Sequence, residues 1–249
     1  MTDRTSAPAR GADDGLNPLL APQGVLRVVI NMGNAILTRA GDDGGPAGIS
    51  VDLAREFARR RGLPIELTTV PNAAASVAAV ASGAVDLGFF AVDPARATEV
   101  RFTAPWVLIE GWYLVREDSP ITDLAGVDHP GIRIAVGRGS AYDLYLTREI
   151  RAASIERTTT SQEVVAFFLA NGFEVAAGVR QQLEADMTRH PGLRFLPERF
   201  MVIRQALGVS AGRDPKVVAM IDAFLTQVRA EGFIDRIIAE NRAEGATVA

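Results

Sequence analysis

From residue 25 onward, short β-branched runs alternate with longer stretches whose apolar residues recur every three or four positions. The first run, Leu26-Arg-Val-Val-Ile-Asn-Met32, has strand character. A Gly/Asp-rich turn over 40–46 separates it from a helix over about 50–61, in which Val51, Leu53, Ala54, Phe57 and Ala58 share an apolar face. Strands over 64–70 and 85–92 bracket an alanine-rich helix ending at Gly83. The pattern then predicts strands near 112–117, 132–137, 153–159, 173–179 and 193–197, with helices near 141–150 and 161–171. A strand over about 202–209 precedes an amphipathic helix with Asp214 as N-cap and Pro215 at N1. There Val217, Val218, Ile221, Phe224, Leu225 and Val228 line one side.

This alternation predicts an α/β fold with parallel strands covered on both faces. No internal repeat is visible, which removes solenoids and propellers. The extended segments 112–117 and 202–209 enclose a self-contained α/β stretch, the arrangement expected where one module is inserted into another.

Composition narrows the chemistry. The chain has 249 residues, 48% apolar and 22% charged, enough for one large domain or two small ones. A net charge of −4, with Arg59-Arg60-Arg61 as the sole basic run, argues against nucleic acid as a partner. The lack of cysteine excludes disulfides, zinc–thiolate sites, iron–sulfur clusters and thiol nucleophiles. Lys216 is the single lysine, so Schiff-base and P-loop chemistry would rest on it alone. No segment approaches the ~20 apolar residues that span a bilayer. Residues 1–23 are polar, interrupted by proline and without the ~7–15-residue apolar core of a secretory signal. They read as a flexible tail, which keeps a cytoplasmic location open.

Three local patterns carry candidate chemistry. Gly208-Val-Ser210-Ala-Gly212 matches the nucleophile elbow of hydrolases, but there the acid and histidine follow the serine. Both histidines, His129 and His190, precede it, and a strand end turning into the Asp214-Pro215 helix start explains the match without chemistry. Gly137-Arg-Gly139-Ser140 follows a strand and opens a helix, with Tyr142 where a dinucleotide site has its third glycine. Free N–H groups there suit an anion, and an ordinary Ser140 N-cap explains the pattern equally well. In Asp93-Pro94-Ala95-Arg96 an aspartate caps a helix start and places an arginine in its first turn, against the helix dipole. A guanidinium there is either a surface group or the fork for an anionic partner. No pair of carboxylates stands out as an acid/base couple.

The run from Gly83 to Trp106, with Asp86, Asp93, Arg96, Phe102, Thr103 and Pro105, resembles the family-3 extracellular solute-binding proteins, the polar amino acid receptors of ABC importers. Gly48-Ile-Ser-Val-Asp52-Leu-Ala, the Gly137–Ala141 turn and Gly232-Phe extend the resemblance, in order, over about residues 25–240. It implies a non-catalytic, two-lobed periplasmic-binding-protein-like fold of type II, closing on a small ligand by hinge motion. The expected division is a tail over 1–23, a discontinuous first lobe over 24–111 and 206–241, a second lobe over 112–205, and a tail over 242–249, with crossings near 110–113 and 202–207.

The resemblance also implies that Arg96 pairs with a ligand carboxylate held from the other lobe by Gly139, Ser140 and Ala141. Phe89, Phe90, Ala91, Asp93, Asn31 and Asn34 fall at further ligand-binding positions. Several depart from the family pattern: Asp93 replaces threonine, Phe89 and Ala91 replace small or hydroxyl residues, and Asn31 and Asn34 replace an aspartate and an aromatic. Arg180 stands where amino acid binders place an aspartate for the ligand ammonium, and it should repel that group. The expected ligand is therefore a di- or oxo-carboxylate, with an amino acid still allowed if Asp93 takes its amine. The resemblance implies no cofactor or metal, a monomer, an ABC permease as membrane partner and a periplasmic location. Two alternatives belong to other classes: a dehydratase of prephenate or arogenate on the same fold, with Asp93 as its candidate acid or base, and an intracellular small-molecule sensor.

Overall fold

The structure, a computed structural model, describes residues 15–249. A turn of helix, α1 (Asn17–Leu20), leads into β1 (Leu26–Asn31), the short hairpin β2 (Arg39–Ala40) and β3 (Pro46–Ala47), and then α2 (Ile49–Arg61). Next come β4 (Ile65–Val70), α3 (Ala73–Ala81), β5 (Leu87–Ala91) and a 17-residue strand, β6 (Val100–Arg116). The middle of the chain forms β7 (Arg133–Gly137), α4 (Ala141–Glu149), β8 (Ser154–Thr158), α5 (Val164–Ala170), β9 (Val175–Val179), α6 (Arg180–Arg189) and β10 (Leu193–Phe195). The chain closes with β11 (Met201–Ser210), α7 (Pro215–Ala230), α8 (Phe233–Glu240) and β12 (Thr247–Val248).

All but β2 and β3 join one sheet, ordered β4-β1-β5-β11-β6-β9-β7-β8, with β10 and β12 also on β6. The ends of that order are parallel, as the βαβ pattern requires: β1 with β4 and β5, and β7 with β8 and β9. The middle is antiparallel, because β6 and β11 run beside each other from Val100↔Ser210 to Gly111↔Met201. Parallel strands throughout were expected, so the sheet is mixed instead. The expected strand at 112–117 is only the end of β6. Pro105 argues against a strand interior, since it cannot donate to the ladder. It is accommodated where the β6–β11 register shifts, around Ala206.

Side chains alternate across the sheet and so divide the core by face. In the first half, Val28 and Ile30 pack with Leu53, Phe57, Ile221 and Phe224 from α2 and α7, while Val29 turns to Val77, Val80 and Phe90 on the α3 side. In the second half, Ile134 and Val136 meet Tyr142 and Leu146 of α4, and Ala135 meets Val165 and Phe168 of α5. Gly208 clears space for this packing, because a Cβ there would lie 2.5 Å from Val100 Cγ1 and 2.8 Å from Phe90 Cδ2. Packing thus accounts for the first glycine of the apparent hydrolase motif.

Three expectations need correction. Of the proposed N-terminal tail, residues 1–14 lie outside the described residues, but Leu20 is fully buried and Asn17 Nδ2 donates to the Arg61 carbonyl, docking α1 on the end of α2. The proposed tail over 242–249 is also part of the fold: Ala243 and Ala246 are buried, and β12 pairs with β6 at Leu108 and Val107. Asp93 caps no α-helix. Its Oδ1 accepts from Ala95 N in a run of turns that returns directly to β6.

Candidate functional site

The parallel strands of both halves point their carboxyl ends at one cleft, the usual place for a ligand in such sheets. From the first half come Asn31 and Asn34 after β1, Pro71 and Asn72 after β4, and Phe89 to Ala91 at the end of β5. The other half supplies Arg138, Ser140, Ala141 and Tyr142 after β7 and Thr159 to Ser161 after β8. The cleft encloses about 970 Å³, counted with the solvent at its mouth. Two helices start on it: α3, capped by Asn72 Oδ1 on Ala75 N, and α4, capped by Ser140 Oγ on Asp143 N. Their N-termini give the walls a positive partial charge.

Arg96 reaches from the β5–β6 turns into this cleft and is 6% exposed. Its Nη1 donates to the Ala91 carbonyl at 3.0 Å and its Nη2 to the Gly139 carbonyl of the opposite wall at 2.8 Å. No carboxylate among the described residues forms an ion pair with it. Burial lowers its pKa, and the nearby charge of Asp93 partly opposes that. Two carbonyls hydrogen-bond this buried guanidinium, and the Asp93 charge acts on it only from beyond ion-pair distance.

Of the residues expected at the site, Asn31, Asn34, Phe89, Phe90, Ala91, Arg96, Ser140 and Ala141 line the cleft. The Phe89 and Phe90 rings also pack edge-to-face against Trp106 and Phe102. Gly139 takes part through its carbonyl, while its N–H donates to Asp143 Oδ2. Asp93 is buried beside the cleft, and both of its oxygens accept from Arg148 on α4. That ion pair leaves no free carboxylate for a ligand amine.

Arg180 does not line the cleft. Its guanidinium lies over the Trp112 ring at 4.5 Å and pairs with Glu184 one turn along α6. The residues of this segment that line the cleft are Val179, just before it, and Gln182, two positions later and roughly 200° around the helix. The sequence pattern assigns no element to this segment, and only the helix starting at Arg180 reveals that rotation. Arg138 was also missed, although it sits inside the Gly137–Ser140 turn; it is exposed, its N–H donates to the Thr158 carbonyl, and its side chain forms no hydrogen bond or ion pair among the described residues. Gln205 enters from β11, beside Ala91 in the ladder. Ser50, at the start of α2, reaches the cleft with a buried hydroxyl that has no partner.

Neither histidine lines the cleft, and Ser210 lies in the β6–β11 ladder opposite Val100. Among the described residues no group of three His, Asp or Glu is placed to hold a metal ion, and no helix is long and apolar enough to cross a membrane.

Residues 26–241 match the bacterial extracellular solute-binding proteins, family 3. Solved structures with the same fold include the cysteine-binding protein from Campylobacter jejuni, with a TM-score of 0.77 at 20% identity, covering 95% of this chain and 98% of that one. A histidine kinase sensor domain with similarity to periplasmic binding proteins gives 0.77 at 21% identity, over 90% of this chain and 98% of the other. The ancestral amino acid-binding protein AncCDT-1, a precursor of cyclohexadienyl dehydratase, gives 0.73 at 18% identity, over 89% and 97%. No curated protein matches the sequence.

Proposed function

Because the chain belongs to family 3 of the bacterial extracellular solute-binding proteins, we propose that it binds a small carboxylate-bearing solute in the cleft and delivers it to an ABC permease. The observation that carries this reading is Arg96, a buried guanidinium with no carboxylate partner at the junction of the two walls. An entering carboxylate would accept from its remaining N–H groups and from the cleft side of the α4 N-terminus. The β6–β11 pair is the continuous connection between the two halves of the sheet, so we assign it the hinge about which lobes 24–111 with 206–241 and 112–205 close. The site residues in this reading are Arg96, Ser140, Ala141, Asn31, Asn34 and Ala91, joined by Arg138 and Gln182.

Transport rather than catalysis fits a cleft that presents no free acid or base: Asp93, the one candidate, is engaged by Arg148. The periplasm is the compartment in which such a receptor meets its permease. Titration calorimetry across a panel of small carboxylates tests the reading, with Arg96→Ala as the control. Binding by the wild-type chain that disappears in Arg96→Ala supports it; equal binding by both overturns it. Stimulation of a reconstituted permease's ATPase by the liganded chain tests delivery.

A further inference from the structure

Among the described residues, both ionic side chains that line the cleft are arginines, Arg96 and Arg138, and no aspartate or glutamate lines it. Glu163 stands behind the lining, its Oε2 accepting from Thr160 N, and two other carboxylates beside the walls are already neutralised. Asp93 is held by Arg148, and Asp143 accepts from Arg157 Nε at 2.8 Å as well as from Gly139 N. The remaining polar lining is neutral: the amides of Gln182 and Gln205, with the hydroxyls of Thr159, Thr160 and Ser161 near Arg138 and that of Ser50. Gln205 is 4% exposed and Ser50 is 1% exposed, and the Ser50 hydroxyl has no hydrogen-bond partner among the described residues.

Resting on the carboxylate reading above, we propose that the cleft selects carboxylates that lack an ammonium group. Its ligands are small dicarboxylates or 2-oxo acids, with an oxygen function where an amino acid carries its amine. An ammonium in this cleft would share it with two guanidinium groups and no lining carboxylate among the described residues, and each guanidinium repels it. A carbonyl, hydroxyl or second carboxylate instead accepts from the side-chain amides, and a dianion balances the two arginines. Arg180 plays no part. The same selectivity arises from which charges are present and which are missing around the cavity.

The test uses the full chain and matched pairs: glutamate with 2-oxoglutarate and glutarate, aspartate with succinate, alanine with pyruvate, and phenylalanine with phenylpyruvate. Affinities come from calorimetry, with thermal shift as a second readout. For every pair that binds, the member without the amine should bind at least ~10-fold more tightly, about 1.4 kcal/mol. Equal or tighter binding of the amino member overturns this inference while leaving the carboxylate reading intact. Binding of no carboxylate at all by the folded chain overturns both. Gln182→Glu supplies a wall carboxylate, and it should shift the ratio toward the amino member by ~10-fold or more. An unchanged ratio would remove Gln182 from the ligand's second end.

Discussion

Arg148 Nη2 lies 2.8 Å from Asp93 Oδ2, and Nη1 lies 3.2 Å from Oδ1, so a bidentate pair ties the turn after β5 to the last turn of α4 across the cleft. Asp93 is buried, but the Arg148 side chain is 40% exposed, and water screens the pair. Its contribution to global stability is therefore near the surface range, below about 1 kcal/mol. Its geometric role is larger, because with the Arg96–Gly139 bond it joins the same two walls. Arg148→Leu should weaken ligand binding by ~3- to 10-fold, about 0.7–1.4 kcal/mol, with a faster off-rate. A double-mutant cycle with Asp93→Asn should recover a coupling of about 0.5–1 kcal/mol in binding. Additive effects would show that the pair does not hold the closed arrangement.

Arg180→Ala should leave ligand affinity within about 2-fold of wild type, since the side chain packs on Trp112 and Phe195 outside the cleft. Stability should fall by about 0.5–1 kcal/mol as the stacked guanidinium is lost. Trp112 fluorescence reports the change, and urea unfolding measures it. A large loss of affinity without loss of stability would return Arg180 to the ligand.

The outcome at Arg180 shows where sequence reading stops. Strands β1, β5, β7 and β9 and helices α2 and α7 were legible because their apolar spacing is local and each buries one face against the sheet. Arg96, Ser140 and Ala141 were assigned to a ligand site by the family resemblance alone, since the local pattern left Arg96 as a surface group or an anion fork and Ser140 as an ordinary N-cap. Helix α6 was not, because it buries only Leu183 and Asp186 and carries a weak periodic signal. Missing that helix put Arg180 at the ligand and left Gln182 unnoticed. The Asp93–Arg148 pair spans 55 residues and depends on how the two halves meet, which no local pattern records.

Gly48 supports the cleft from behind. At φ 114° it adopts a conformation that side chains rarely enter, and a Cβ would lie 2.6 Å from the Leu37 carbonyl oxygen and 2.9 Å from Thr38 Cα. That same carbonyl accepts from Ser50 N. Gly48→Ala should cost about 2–4 kcal/mol, combining backbone strain with displaced packing. Leu37, Thr38 and Ser50 all line the cleft, so the variant should also bind more weakly at temperatures where it stays folded. Unchanged stability by denaturant titration would contradict the close approach.

Acid should destabilise the fold in a defined window. Hydrogen bonds from Arg59, then Arg60, hold the Glu56 carboxyl below its usual range against the opposing effect of burial, and Arg133 does the same for Glu174. A carboxylate whose pKa is lower in the folded state than in the unfolded one stabilises the fold above the unfolded value, about 4.3, and that stability is lost as pH falls through the folded value. The thermal midpoint should be nearly level from about pH 7 to 5 and drop below about pH 4. A drop beginning well above pH 5 would place the proton linkage on other groups.

Arg96→Met separates holding the fold from holding the ligand. Burying this charge without a carboxylate costs several kcal/mol, and two charged hydrogen bonds to the Ala91 and Gly139 carbonyls return about 1.5–3 kcal/mol each. Methionine removes both sides of that balance while keeping a flexible stem in the same space. Unfolding free energy without ligand should therefore change by less than about 1.5 kcal/mol, while affinity for the carboxylate falls by ~100-fold or more, about 2.7 kcal/mol. The thermal shift that ligand gives the wild-type chain should vanish with it. A loss of about 3–5 kcal/mol of stability would instead mark Arg96 as a structural cation whose partners the fold cannot spare.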